Sequence, residues 1–150
     1  MSVDFEAVRA GLEQAIPFNK YLGLEVVAVA DGSGSLRLPD DPNLLNHVGS
    51  QHAGALFSVA EAASGAAFIG AFLERMGEIT PLAKSASIDY RKIAKGPIVA
   101  TGTLSEEKAA LLERLDAPVG VEFTIDVSLR DGDDVEVATT TVAWHVRKKD

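Results

Sequence analysis

The residues best suited to chemistry in this sequence lie just before and within one long apolar stretch. Residues 53–76 read AGALFSVAEAASGAAFIGAFLERM, and their apolar character almost all round predicts a helix buried on most sides. A helix start presents free N–H groups and a partial positive charge, so Ala53 and Gly54 are candidate oxyanion donors. Glu61 lies further along this helix, where burial would raise its pKa and suit it to general-base catalysis. A base or nucleophile together with oxyanion donors is what hydrolysis of an acyl compound requires.

Each candidate side chain in this region also has a structural interpretation. Asn46 could orient the attacking water, or it could be an ordinary loop or capping residue. His52 could take part in the chemistry, or it could cap and orient the helix start. Ser85 and Ser87, on a predicted later strand, could border the site or pack as small residues against the helix. Glu61 itself could be a buried carboxylate held by hydroxyl or backbone donors.

The spacing of Gly54 and Glu61 has a consequence for assembly. They lie seven positions apart, which corresponds to about 10 Å along one helix. Both would have to approach one reacting carbonyl group within about 3 Å. Two antiparallel helices from two subunits could achieve this, with two sites per dimer. The spacing therefore predicts a homodimer whose isolated monomer is inactive; the sequence does not distinguish a dimer from a dimer of dimers.

A basic cluster at Arg91, Lys92 and Lys95 stands out in a chain with a net charge of −8. Arginine and lysine pair with phosphate charges, so this cluster could bind a phosphate-bearing ligand, which would be coenzyme A in the family whose resemblance is given below. A solvated hairpin end is the competing interpretation. The acidic balance of the whole chain makes nucleic acid an unlikely partner.

The order of elements indicates how these residues are positioned. Helical spacing is predicted at 3–16, with Pro17 ending that helix. Alternating residues then predict two strands, followed by the central helix at 53–76 and four further strands. In the first of these four, the alternation predicts that Leu82 shares a face with Ala86, opposite Ser85 and Ser87. Tight turns join two pairs of strands, so the pattern predicts an α+β fold in which a curved antiparallel sheet wraps one long helix. That arrangement is the hotdog fold, in a single domain spanning residues 1–150, and its open edges favour a dimer.

Composition excludes several classes of site. The chain of 150 residues has no cysteine, which rules out disulfides, thiolate zinc sites, iron–sulfur clusters and a cysteine nucleophile. Its three scattered histidines predict no metal site, and no glycine-rich nucleotide loop occurs. The N-terminus lacks a signal-peptide pattern, so we expect a cytoplasmic protein without a membrane span. No cofactor is expected beyond coenzyme A as part of a substrate.

The segment from Asn46 to Glu61 resembles the hotdog-fold acyl-CoA thioesterases of the PaaI-like type. Their motif is an Asn, a His-Gly-Gly at a helix start, and an Asp or Glu within that helix; Asn46, His52, Gly54 and Glu61 match this spacing. Residues 89–96, DYRKIAKG, resemble the family's Tyr-x-x-Pro-Ala-x-Gly strand end. Residues 143–146, AWHV, resemble the last strand of a poorly characterised bacterial branch.

The resemblance implies an acyl-CoA thioesterase in which Glu61 is the general base or nucleophile. It also implies sites shared between two subunits. The chain departs from the family pattern where Ala53 replaces the first glycine and Ile93 replaces the usual proline.

Two alternatives remain open at this level. One is a non-catalytic acyl-CoA-binding protein that keeps the hotdog dimer. The other is a β-hydroxyacyl thioester dehydratase using His47 and Glu61, which lie fourteen residues apart, although the dehydratase His-Phe-Pro-Gly segment is absent. The acyl group is not determined by the sequence, nor is the choice between coenzyme A and acyl carrier protein.

Overall fold

A computed structural model describes residues 2–150, in which six antiparallel strands form one sheet. The order of strands across the sheet is β1-β2-β4-β5-β6-β3, so β1 and β3 are its edges. The strands are β1 (Glu25–Ala30), β2 (Ser33–Leu38), β3 (Ile79–Tyr90), β4 (Ile98–Leu104), β5 (Val121–Arg130) and β6 (Glu136–Lys148). The helices are α1 (Phe5–Ala15), α2 (Pro17–Tyr21), α3 (Ala53–Phe72) and α4 (Lys108–Leu115).

The sheet wraps α3 because its strands alternate between apolar and polar residues. In β5, for example, Val121, Phe123 and Ile125 are buried while the residues between them face outward. We call the face that packs on α3 the inner face and the opposite one the outer face. This arrangement is the predicted α+β hotdog fold.

Helix α3 is the centre of the core, as predicted from its sequence. Thirteen of its twenty residues are buried, most of them alanine or phenylalanine. The segment Ala53–Arg75 is long and apolar enough to cross a membrane by length and composition alone, but two-thirds of its most apolar window is buried inside this fold. Its burial against the sheet therefore accounts for its hydrophobicity.

Glycines allow the sheet to approach α3 closely. A Cβ built on Gly70 would lie 2.0 Å from the carbonyl oxygen of Ala30, and one on Gly34 would lie 2.5 Å from the Ala66 side chain. Gly70 therefore has a close packing contact that accounts for a glycine inside this helix. Gly65 does not, because a Cβ there would meet no atom within 4 Å.

Several predicted boundaries differ from the observed ones. The helix predicted at 3–16 spans Phe5–Ala15. Pro17 ends this helix as predicted, but it also begins a second one, because the first position of a helix tolerates proline. The central helix predicted at 53–76 ends at Phe72 and tightens into a 3₁₀ turn over Leu73–Arg75.

The predicted faces of β3 are wrong on one point, because a bulge interrupts the strand between Ala83 and Ser85. Ala83 pairs with Trp144 and Ala86 pairs with Val142, so both lie on the inner face, while Leu82 lies on the outer face. The extra residue reverses which side chains face inward along the rest of the strand. A sequence pattern that repeats every two residues cannot reveal such an insertion.

Candidate functional site

Glu61 lines an apolar pocket of about 170 Å³ enclosed by α1, α2, α3 and the sheet. Most of the pocket wall is hydrocarbon, contributed among others by Leu12, Ile16, Val26, Phe68, Ile69 and Trp144. Besides Glu61 and Trp144, Asn19 is the pocket residue whose side chain carries a polar group. A pocket of this composition suits an apolar group that carries a reactive function at the Glu61 end.

The carboxylate of Glu61 is desolvated and unpaired. Burial raises its pKa above the ordinary glutamate value. Within residues 2–150 no donor forms a hydrogen bond or ion pair with the carboxylate oxygens; apart from the helix backbone bonds, the bond at this residue runs from the Ser64 hydroxyl to the Glu61 carbonyl, 2.7 Å. A structurally required buried carboxylate would have such partners. Their absence here favours the functional interpretation of Glu61 over the structural one.

His52 is the N-cap of α3. Its Nδ1 accepts a hydrogen bond from the backbone N–H of Gly54 at 2.8 Å, so the ring proton lies on Nε2. The capping role considered for His52 is thus observed, and the N–H of Gly54 is occupied. The N–H of Ala53 has no hydrogen-bond partner in the described part of the chain, which makes it an open donor of this helix start.

Asn46 organises the loop that leads into α3. Its Oδ1 accepts from the backbone N–H groups of Val48 and Ser50, and its Nδ2 donates to the Ser50 hydroxyl at 2.9 Å. Both acceptor positions of the amide oxygen are therefore used, and one N–H of Nδ2 is left to contact a water. The loop interpretation of Asn46 accounts for the bonds that the structure shows.

A second pocket, of about 370 Å³, brings the helix start and part of the basic cluster together. Its lining includes Asn46, Ala53, Tyr90, Arg91 and Lys92. The hydroxyl of Tyr90 donates to the Ala53 carbonyl at 3.0 Å and ties the end of β3 to the helix start.

The three basic residues have different surroundings. Arg91 reaches the Thr139 hydroxyl at 3.2 Å and lies 3.9 Å from a Glu136 carboxylate oxygen, so its charge is partly engaged. Lys92 lines the second pocket, whereas Lys95 is exposed outside it. Lys92 is therefore the cation best placed to reach a phosphate bound beside the helix start.

Gln51 lines this pocket and ties together the segments around it, although no local sequence pattern marks this residue. Its side chain is buried, and its Nε2 donates to the carbonyls of Pro39 (3.0 Å) and Gly96 (2.8 Å). Its backbone N–H donates to the carbonyl of Ala94 at 2.8 Å. Its position just before the helix start is the one feature of the sequence that points to Gln51. Hydrogen bonds from a side chain to carbonyls distant in the chain leave no local pattern.

Replacing Gln51 with leucine is expected to lower the free energy of unfolding by about 1–3 kcal/mol, because two partly buried carbonyl groups lose the donor that the buried Gln51 side chain supplies. Urea unfolding at a fixed protein concentration measures this. Gln14→Leu on the exposed face of α1 is the matched control. Equal midpoints for the two variants would show that the clamp contributes nothing.

The structure keeps several of the predicted site residues apart within one chain. Glu61 lines the apolar pocket, Ala53 lines the second pocket, and Gly54 lines neither. Ser85 and Ser87 pair with Ala143 and Thr141 on the outer face, so they neither pack against α3 nor line these pockets.

His47, the residue considered for a dehydratase, is exposed in the loop before α3 and does not line the Glu61 pocket. A single chain therefore does not assemble the His–Glu pair. Among residues 2–150, no group of three or more His, Asp and Glu side chains could hold a metal ion.

Solved structures share this architecture over nearly the whole chain. A Pseudomonas aeruginosa protein of unknown function, PA5026, described as a probable thioesterase, is 29% identical, with 99% of each chain covered and a TM-score of 0.86. The PaaI protein of the E. coli phenylacetic acid degradation operon is 18% identical, covering 93% of this chain and 91% of its own, with a TM-score of 0.73. Thioesterase HI1161 of Haemophilus influenzae is 13% identical, covering 99% and 93%, with a TM-score of 0.76.

These similarities confirm the resemblance to the hotdog-fold thioesterase superfamily. No curated protein matches the sequence. A family model described as a domain of unknown function, DUF4442, matches residues 5–146, so the chain belongs to the DUF4442 family.

Proposed function

We propose that this protein is an acyl-CoA thioesterase that hydrolyses an acyl thioester to the free acid and coenzyme A. The observation that carries the proposal is the unpaired, desolvated carboxylate of Glu61 at the wall of an apolar pocket. Such a carboxylate has the raised pKa of a general base, and the pocket has the chemistry of an acyl group. The thioesterase descriptions of proteins with the same fold support the same reaction class.

The reaction uses Glu61 and the start of α3. As a general base, Glu61 takes a proton from water while the water oxygen bonds to the thioester carbonyl carbon; as a nucleophile, its own oxygen forms that bond and water later releases the acid. In either case the carbonyl oxygen becomes an oxyanion, which accepts a hydrogen bond from the Ala53 N–H in the positive field of the helix start. Collapse of this intermediate breaks the carbon–sulfur bond and expels the thiolate, which takes its proton from Glu61 in the general-base route and from solvent in the nucleophile route.

Coenzyme A is placed by the second pocket in this proposal. Lys92 lines that pocket beside the helix start, with Arg91 next to it. The two cations attract the phosphates of coenzyme A in a chain whose overall charge of −8 would otherwise repel them. Lys95 and the outer-face serines, Ser85 and Ser87, have no part in this arrangement within one chain.

The active form in this proposal is a cytoplasmic homodimer with composite sites. On α3, the residues Ala53, Phe57 and Glu61 follow each other at intervals of four and form one partly exposed stripe. The neighbouring edge strand β3 is exposed along most of its length. A second copy that covers this stripe and edge would bring its own helix start to Glu61, which one chain does not achieve.

Thiol release from a panel of short, medium and aromatic acyl-CoAs tests the reaction class. Release above the uncatalysed rate supports the thioesterase. Binding of acyl-CoA without release from any member of the panel would contradict it and favour the non-catalytic acyl-CoA-binding protein.

Ala53→Pro tests the composite site. Proline is tolerated at the first helical position, and His52 has the extended backbone (φ −64°, ψ 140°) that a residue before proline prefers. The variant loses the Ala53 N–H, so we expect a loss of about 10²–10³ in kcat. Mixing it with Glu61→Gln after dissociation and reassociation should restore about one quarter of the wild-type activity, because half of the dimers gain one intact site.

Each variant reassociated with itself is the control for this mixing experiment. No recovery in the mixture, with heterodimers demonstrated, would show that Glu61 and Ala53 do not act across subunits.

A further inference from the structure

Gly65 lies one helical turn beyond Glu61 in the wall of the apolar pocket. It is the one residue of α3 that combines two properties: it has no side chain, and a Cβ built on it would meet no atom within 4 Å. The packing explanation that holds for Gly70 therefore fails at Gly65. Glycine is less favourable than alanine in a helix interior, and no contact among residues 2–150 compensates for it here.

The space left by the absent side chain of Gly65 lies next to the Glu61 end of the pocket. Glu61, Gly65 and Ile69 are four residues apart and form one stripe of the helix surface, and all three line the pocket. Successive members of this stripe are separated by about 6 Å. A group whose carbonyl carbon lies at Glu61 must therefore pass Gly65 to reach Ile69.

The size of the pocket bounds the group that it can hold. Its volume of about 170 Å³ is close to that of an apolar cavity of about 150 Å³ that binds benzene in another protein. Phe68, Trp144 and Met76 contribute bulky walls. The space is thus suited to an acyl group of roughly one ring or a medium-length chain.

We infer that Gly65 is the specificity-determining residue of this site. Because Gly65 has no side chain, acyl groups longer than the shortest ones can extend past Glu61 into the pocket. This inference rests on the proposed thioesterase function for its kinetic consequences. Its binding consequences are independent of turnover. A single methyl group at position 65 would narrow the pocket directly beyond Glu61.

The test compares Gly65→Ala with Gly11→Ala. Gly11 is an exposed glycine in α1 whose added Cβ also meets no atom within 4 Å, but it does not line the pocket. Both variants gain helix propensity, so both should fold with an unchanged or higher Tm. For each protein, kcat/KM is measured across a series of straight-chain acyl-CoAs from acetyl to dodecanoyl.

The ratio of kcat/KM for octanoyl-CoA to that for butanoyl-CoA is expected to fall by about 10-fold or more in Gly65→Ala, the effect of about one methylene-sized change in an apolar pocket. Gly11→Ala should leave this ratio unchanged. An unchanged ratio in Gly65→Ala, with wild-type turnover, would overturn the inference and leave the thioesterase proposal standing.

A second readout is the Kd of S-alkyl coenzyme A thioethers of the same lengths, measured by calorimetry. These ligands cannot be hydrolysed, so they report on the pocket even if the protein releases no thiol. Selective weakening of the longer thioethers in Gly65→Ala supports the inference whatever the activity. Equal weakening at all lengths, or no binding by the wild type, would overturn it.

Discussion

Replacing Glu61 with glutamine is expected to reduce thiol release from acyl-CoA by about 10²–10⁴-fold, the usual contribution of a general base. The amide has nearly the same shape as the carboxylate, but it can neither take a proton from water nor form an acyl intermediate. Since no residue in 2–150 depends on the Glu61 carboxylate for a hydrogen bond or an ion pair, the fold should not change. The measurement is kcat and kcat/KM for the best substrate of the panel.

Glu74→Gln is the matched control, because Glu74 is an exposed glutamate just beyond α3. It should keep full activity. A wild-type rate in Glu61→Gln would remove Glu61 from the mechanism and return it to the structural interpretation.

The same variant has a stability signature that depends on pH. Burial raises the pKa of Glu61 in the folded state, so the folded state binds this proton more tightly than the unfolded one. Ionisation therefore destabilises the fold increasingly as the pH rises from the unfolded pKa of about 4.3 through the folded value. Glu61→Gln should consequently be at least as stable as the wild type near about pH 7, and any advantage should disappear below about pH 4. A variant less stable at neutral pH would show that the carboxylate is held by favourable contacts.

Replacing Gly70 with alanine is expected to destabilise the protein by about 3 kcal/mol or more. The new Cβ would lie 2.0 Å from the Ala30 carbonyl oxygen, which is backbone and cannot rotate away. Either α3 or the end of β1 has to move, and overpacking of this kind usually costs about 1–3 kcal/mol even against side chains. Urea unfolding at fixed protein concentration gives the change in the free energy of unfolding.

Gly65→Ala provides the comparison for Gly70→Ala. It is the same substitution in the same helix, five residues away, with no atom within 4 Å of the new Cβ. It should be neutral or stabilising by up to about 1 kcal/mol. Similar destabilisation by both substitutions would show that the close approach of α3 and β1 is not the reason why alanine is unfavourable at position 70.

The general architecture could be predicted because it depends on local patterns. The alternation of Val121, Phe123 and Ile125 is confirmed as the inner face of a strand, and the apolar circumference of residues 53–76 is confirmed as a core helix. Pro17 marked a helix boundary correctly, although the sequence could not show that a second helix begins there.

The candidate site was predicted only in part. The position of Glu61 within an apolar helix was sufficient to predict its burial and its raised pKa. The roles of Asn46 and His52 depend on hydrogen bonds to Ser50 and Gly54, whose geometry a list of residues does not contain. Gln51 was missed because its partners, the carbonyls of Pro39 and Gly96, are distant in sequence.

The sequence by itself determined the fold class, the central helix and the acidic residue within it, because hydrophobic periodicity and burial are properties of short segments. Only the tertiary structure decided which groups share a pocket. The bulge after Ala83 turned Ser85 and Ser87 to the outer face, and the approach of Ala30 to Gly70 distinguished that glycine from Gly65. Both are contacts between segments far apart in the chain, and they exist only once the sheet has closed around the helix.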